Sequence, residues 1–150
     1  MDYEATLNGA LDLLADGEDK KAGKVLQSCI DDIKKNLTHS ELDLDRYYYW
    51  GRCLTAMEEV EQALLKFEKA LKIDPDHEGS LWETASIFFH DMNRPENAEP
   101  ILAERLLKIA PENELYIESL QAVRFALKLR KSPPALSQEE SDLENQDFSA

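Results

Sequence analysis

Basic residues are the scarce class in this chain: 17 lysines and arginines stand against 31 aspartates and glutamates, for a net charge of −14 over 150 residues. That balance argues against nucleic acid or an anionic membrane as partner, because both repel a polyanion. Long apolar runs are missing too. Nowhere do eighteen apolar residues follow one another, so no membrane-inserted helix is expected. The start, Met1-Asp2-Tyr3-Glu4, has neither the basic nor the apolar segment of a secretory signal. Cysteine occurs twice, at positions 29 and 53, which cannot build a disulfide framework. Cys29 and Cys53 are read as buried free thiols of a reducing compartment, and the expected location is cytoplasmic. The Asn36-Leu37-Thr38 sequon is accidental on that reading.

Catalytic groupings are lacking as well. His39, His77 and His90 stand in or beside loops or at a helix end with no partner at fixed spacing, and no glycine-rich phosphate loop or pair of Cys-x-x-Cys occurs. Asp74-x-Asp76-x-Glu78-Gly79 imitates a calcium loop, yet Ala85 stands where the bidentate glutamate belongs. The expectation is therefore a protein that is not an enzyme, with no catalytic residue, no metal and no cofactor.

What is present is a helical unit. Between Tyr47 and Pro75 come Trp50-Gly51 and Leu54, then Ala63, Phe67 and Ala70. Small residues at Gly51 and Ala63 let two helices approach closely. Tyr47, Trp50, Leu54 and Phe67 fill the space around that contact, and Pro75 ends the second helix. The string resembles the tetratricopeptide repeat, written W-x2-L-G-x2-Y, then A-x3-F, then P.

Two weaker copies flank it. Ala10, Leu13, Gly17, Ala22, Leu26 and Cys29 repeat the spacing upstream, with seven extra residues around Asn36 to Asp43 before the next unit. Thr38 and Glu41 are placed to form a capping box there, so the following helix is expected to start early and run to about Met57. Downstream, Leu81, Thr84-Ala85 and Phe88 form a first helix. The second arrives one residue late, at Ala98 and Leu102, and Pro100 is expected in its first turn. Pro111 closes that unit, again slightly late. A final helix spans roughly 113–131 with two apolar stripes: Tyr116, Leu120, Val123 and Leu127 on one side, Leu115, Ala122, Phe125 and Leu129 on another.

The resemblance thus implies an all-α fold, a right-handed superhelix of antiparallel helix pairs closed by a terminal capping helix. The units fall at about 3–36, 44–77 and 78–111 within a domain of residues 1–131. That body holds 17 basic and 26 acidic residues. Residues 132–150, with Pro133-Pro134, several serines and five acids, read as a disordered acidic tail. Ser132-Pro133, Ser137 and Ser141 fit kinase preferences, and Leu143 and Phe148 could fold back as an internal blocker.

Function follows from the resemblance. First helices of successive repeats line a concave groove, and the positions just beyond the core stripe point into it. Those positions are Tyr48, Arg52 and Thr55 in the second unit, Trp82, Ser86 and Phe89 in the third, and Leu7, Leu11 and Leu14 in the first. Phe125 and Ala122 continue the surface. Tyr48, Trp82 and Phe89 are the expected apolar anchors, being surplus to packing, and Arg52 the orienting charge. Trp82→Ala is accordingly expected to weaken capture tenfold while costing little stability, and Trp50→Ala to cost about 3–5 kcal/mol of stability. Repeats of this family that clamp acidic chaperone tails use several cations, whereas the lining here (Leu7, Leu11, Tyr48, Arg52, Glu83, Ser86) has one. The expected role is a non-enzymatic adaptor or scaffold that holds an apolar or aromatic segment of a protein or peptide partner. The alternative is a dedicated holding chaperone for one aggregation-prone client, similar in architecture to class II type III secretion chaperones.

Overall fold

A computed structural model describes residues 1–131; the acidic tail, with its serine motifs, Leu143 and Phe148, lies outside the described residues. Helices α1 (Tyr3–Ala15) and α2 (Asp19–Lys35) form the first pair, α3 (Leu44–Ala56) and α4 (Val60–Ile73) the second. The third pair is α5 (Glu78–Ser86) and α6 (Pro95–Pro100), each prolonged by a wider, π-helical stretch, Ile87–Asp91 and Ile101–Leu106. Helix α7 (Glu114–Lys131) packs on the third pair.

Each pair is joined by a turn that needs a residue in the left-handed region. Gly17 takes φ +78° after α1, Glu58 takes +63° after α3 and Asn93 takes +52° after α5. In the first two turns the bonding is identical. Glu18 N–H donates to Leu13 O and Gly17 N–H to Leu14 O; Glu59 N–H donates to Leu54 O and Glu58 N–H to Thr55 O. This is the Schellman closure of a helix end. The third turn is one residue wider, with Arg94 N–H reaching back to Phe88 O. The extra residue between Ala85 and Ala98 is thus absorbed in the π-helical stretch 87–91, and that before Pro111 in 101–106. Single inserted residues are the usual origin of such stretches.

Two expectations are corrected. Thr38 and Glu41 make no capping box. Ser40 caps a short 3₁₀ turn, Glu41–Asp43, and the Asp43 carboxylate, fully buried, accepts from Thr38 N–H (2.9 Å), Thr38 Oγ1 (2.8 Å) and His39 N–H (2.8 Å). The seven extra residues are held as a loop around that one acid, and α3 starts after it. Pro100 is not in the first turn of α6 either. Pro95 occupies N1, and Pro100 comes at the end of α6, where the chain widens into the π-helical stretch. A residue without an N–H is tolerated at that switch because regular bonding is already interrupted there.

The core falls into two clusters along the pairs. Leu7, Ala10, Leu26, Cys29, Ile33, Cys53, Ala63 and Phe67 form one cluster, and Leu81, Ala85, Ala98, Leu102, Leu106, Tyr116, Leu120 and Val123 another. Cys29 and Cys53 are free and buried side by side. A hydrogen bond with Cys29, reinforced by burial, holds the Cys53 thiol well above its usual range. Of the two stripes on α7, Tyr116, Leu120 and Val123 cover the third pair. Leu115, Phe125 and Leu129 face outward.

Candidate functional site: the face of the first helices

On the face made by α1, α3 and α5, a small cavity of about 120 Å³ is lined by Leu7, Leu11, Arg52, Thr55, Ala56 and Glu83. Four residues expected in the groove therefore meet, one helix from each pair contributing. Leu7 forms its buried floor, only 1% exposed, while Leu11 stands at the rim at 36%. The Arg52 guanidinium lies 3.6 Å from Glu83 and 5.8 Å from the Tyr48 ring. Burial pushes the Glu83 carboxyl up, and Arg52 pulls it back towards the charged form. The Thr55 hydroxyl donates to Gly51 O (3.0 Å), which leaves its oxygen only as an acceptor for a ligand. The cavity is an apolar slot crossed by one engaged ion pair. Its single cation already has a carboxylate, which disfavours clamping an acidic chain terminus.

The aromatic anchors are placed differently from the expectation. Trp82 and Tyr48 are not surplus to packing. The Trp82 ring, half-buried, lies 5.4 Å from that of Tyr116 and packs against the second core cluster; it joins the third pair to α7. Tyr48 joins the second pair to the third. Its ring meets Phe67 (6.1 Å) and His77 (5.1 Å), and fits so closely over Gly79 that a Cβ there would stand 2.8 Å from Cε1. Leu7 is likewise core with one face on the cavity. Ser86 and Phe89 are half-buried and outside the cavity, Phe89 against the His90 ring at 4.9 Å. Phe125, 63% exposed on α7, keeps its whole outer face for contact.

Residues 45–77 match the tetratricopeptide repeat family. The fold is that of a tetratricopeptide-repeat protein. Two solved structures bear this out for most of the chain. The MamA RS-1 ArsTM double mutant is 19% identical with TM-score 0.60, over 86% of this chain and 67% of that one. The Hsp90 co-chaperone Cns1 from Saccharomyces cerevisiae (delta69) is 18% identical with TM-score 0.63, over 95% of this chain and 43% of that one. The chain thus spans less than half the length of the co-chaperone. No curated protein matches. At such identities the likeness is one of fold.

A second, larger concavity was not legible from the repeat pattern. It measures about 410 Å³ and lies between α4 and α5, lined by Glu61, Leu64, Leu65, Glu68, Leu71, Thr84, Phe88 and Met92. Phe88 packs against the second core cluster with one side and lines this concavity with another. Spacing within a unit carries no information about it, because its walls come from the second helix of one unit and the first helix of the next.

Proposed function

We propose that this tetratricopeptide-repeat domain is a non-enzymatic adaptor that captures an apolar or aromatic segment of a partner protein along the face of α1, α3 and α5. The observation that carries the reading is the cavity where Leu7, Leu11, Arg52 and Thr55 meet Glu83, a slot with an apolar floor and a fixed ion pair. Apolar anchors of a partner would gain most by filling it, and the Arg52–Glu83 pair would orient backbone groups beside it. The exposed parts of Tyr48, Trp82, Ser86 and Phe89 flank this path, and Phe125 extends it on α7.

The test is capture of partners by wild type and by Leu11→Asp, followed by mass spectrometry and then titration of the purified partner. Leu11→Asp should lose the partner at least tenfold, about 1.4 kcal/mol, with unchanged melting. Equal capture by both proteins overturns the proposal. The same titration separates scaffold from holding chaperone, since a chaperone's client aggregates when the domain is withheld and a scaffold's partner stays soluble alone.

A further inference from the structure

The cleft between α4 and α5 lies away from the slot on the first helices. Its floor and walls are apolar: Leu64, Leu65 and Leu71 from α4, Phe88 and Met92 from the α5 side. Thr84, the uncharged polar residue there, donates its hydroxyl to Ser80 O at 2.7 Å and so offers the cleft an acceptor but no donor. Leu65 is 56% exposed, an unusual state for a leucine in a repeat interior. The two walls belong to neighbouring units, α4 closing the second pair and α5 opening the third, and the helices pack directly on one another beneath the cleft.

Charge decides what can enter. Both charged residues of the lining are glutamates, Glu61 and Glu68, two turns apart on α4. Lys72 partly offsets Glu68 at 3.6 Å, and Glu61 has no cationic partner among the described residues. Glu58, Glu59 and Asp91 adjoin the cleft in sequence, as do Lys66, Lys69, Lys72 and Arg94. Lys66 and Lys69 are turned to the Trp50 and Tyr47 rings, so the charges that line the cleft itself are the two glutamates. A second copy of this chain brings another −14, and residues 132–150 bring five acids and no base. Like charge disfavours both as occupants.

We propose that the α4–α5 cleft is a second docking site, for a basic amphipathic helix of a partner protein whose apolar side chains enter between Leu65 and Phe88 while its lysines or arginines meet Glu61 and Glu68. Its volume suits the few side chains that such a helix inserts.

The test uses the full chain and two synthetic helical peptides with the same leucine stripe, one with lysine and one with glutamate at the remaining positions. Binding is read by fluorescence anisotropy. The lysine peptide should bind at least tenfold more tightly than the glutamate peptide, and Glu61→Lys with Glu68→Lys should reverse that order. Leu65→Glu gives the decisive sign. It adds negative charge, so general attraction to an acidic protein would strengthen lysine-peptide binding, whereas docking in the cleft requires a loss of tenfold or more. Leu11→Asp should leave this binding within twofold, which separates the cleft from the slot on the first helices. The proposal is overturned if Leu65→Glu binds the lysine peptide as well as wild type or better. It also fails if binding appears only after deletion of residues 132–150, or if sedimentation shows a dimer of wild type that Leu65→Glu abolishes.

Discussion

Phe67 lays its ring against the bare Cα of Gly51, so closely that a Cβ at residue 51 would stand 2.6 Å from Cε1. Phe67 is completely buried and cannot swing aside. Alanine would improve helix propensity by about 1 kcal/mol, but the overlap forces α3 and α4 apart, which costs about 1–3 kcal/mol or more. Gly51→Ala should therefore lower the denaturant midpoint. A stabilised variant would mean that the pair relaxes freely.

Glu58 is a non-glycine residue at φ +63° in a turn built like that of Gly17. The left-handed conformation costs such a residue about 1–2 kcal/mol, and glycine gives back about 0.5–1 through its looser unfolded chain. Glu58→Gly should raise stability by roughly 0.5–1 kcal/mol in urea titration. No change, or a loss, would show that Glu58 makes compensating contacts.

Asp43 sets a pH dependence. Burial pushes its carboxyl up, but the hydrogen bonds from Thr38, His39 and Ser40 outweigh burial and hold it below the usual carboxylate range. A folded value below the unfolded one gives stability that is full above the ordinary carboxylate range and fades as pH falls through the folded value. Asp43→Asn should cost about 1–3 kcal/mol at neutral pH, and the gap to wild type should narrow below about pH 4. A gap that stays constant into acid would place the loss elsewhere.

Tyr116 fastens α7 to α5. Its hydroxyl donates to Glu78 Oε1 at 2.6 Å, and burial, with that carboxylate, pushes the phenol well up. Tyr116→Phe should cost about 1.5–3 kcal/mol. The loss should appear first as faster amide exchange in α7 while α3 and α4 stay protected.

Trp82 and Trp50 offer a paired measurement. Trp82 is half-buried against Tyr116; Trp50 is half-buried beside Tyr47 with Lys66 Nζ 3.9 Å from its ring. Their alanine variants should destabilise to similar extents, each by less than the about 3–5 kcal/mol of a fully buried ring, for which Phe67→Ala is the reference. A Trp82→Ala protein as stable as wild type would return the indole to the role of a free anchor.

The packing frame of the second unit was legible because Gly51, Ala63, Phe67 and Pro75 sit at positions where only small, large or helix-ending side chains fit. The first unit was legible through Ala10, Ala22 and Leu26 despite its missing aromatics. Legibility failed where two packings satisfy the same pattern. Tyr48 and Trp82 occupy groove positions within their own units, yet each ring is taken up by the next unit, through Gly79 and Tyr116, and spacing within a unit carries no information about such neighbours. Asp43 was missed for a related reason: a buried acid that organises a loop has the same appearance in sequence as a solvated one.

The two wide helical stretches of the third unit are surplus of a single residue each, and each leaves the buried faces of Leu81, Ala98 and Leu102 intact. Gaining or losing one codon at such a point is taken up inside the helix itself, so a repeat can change length while its packed faces keep their partners.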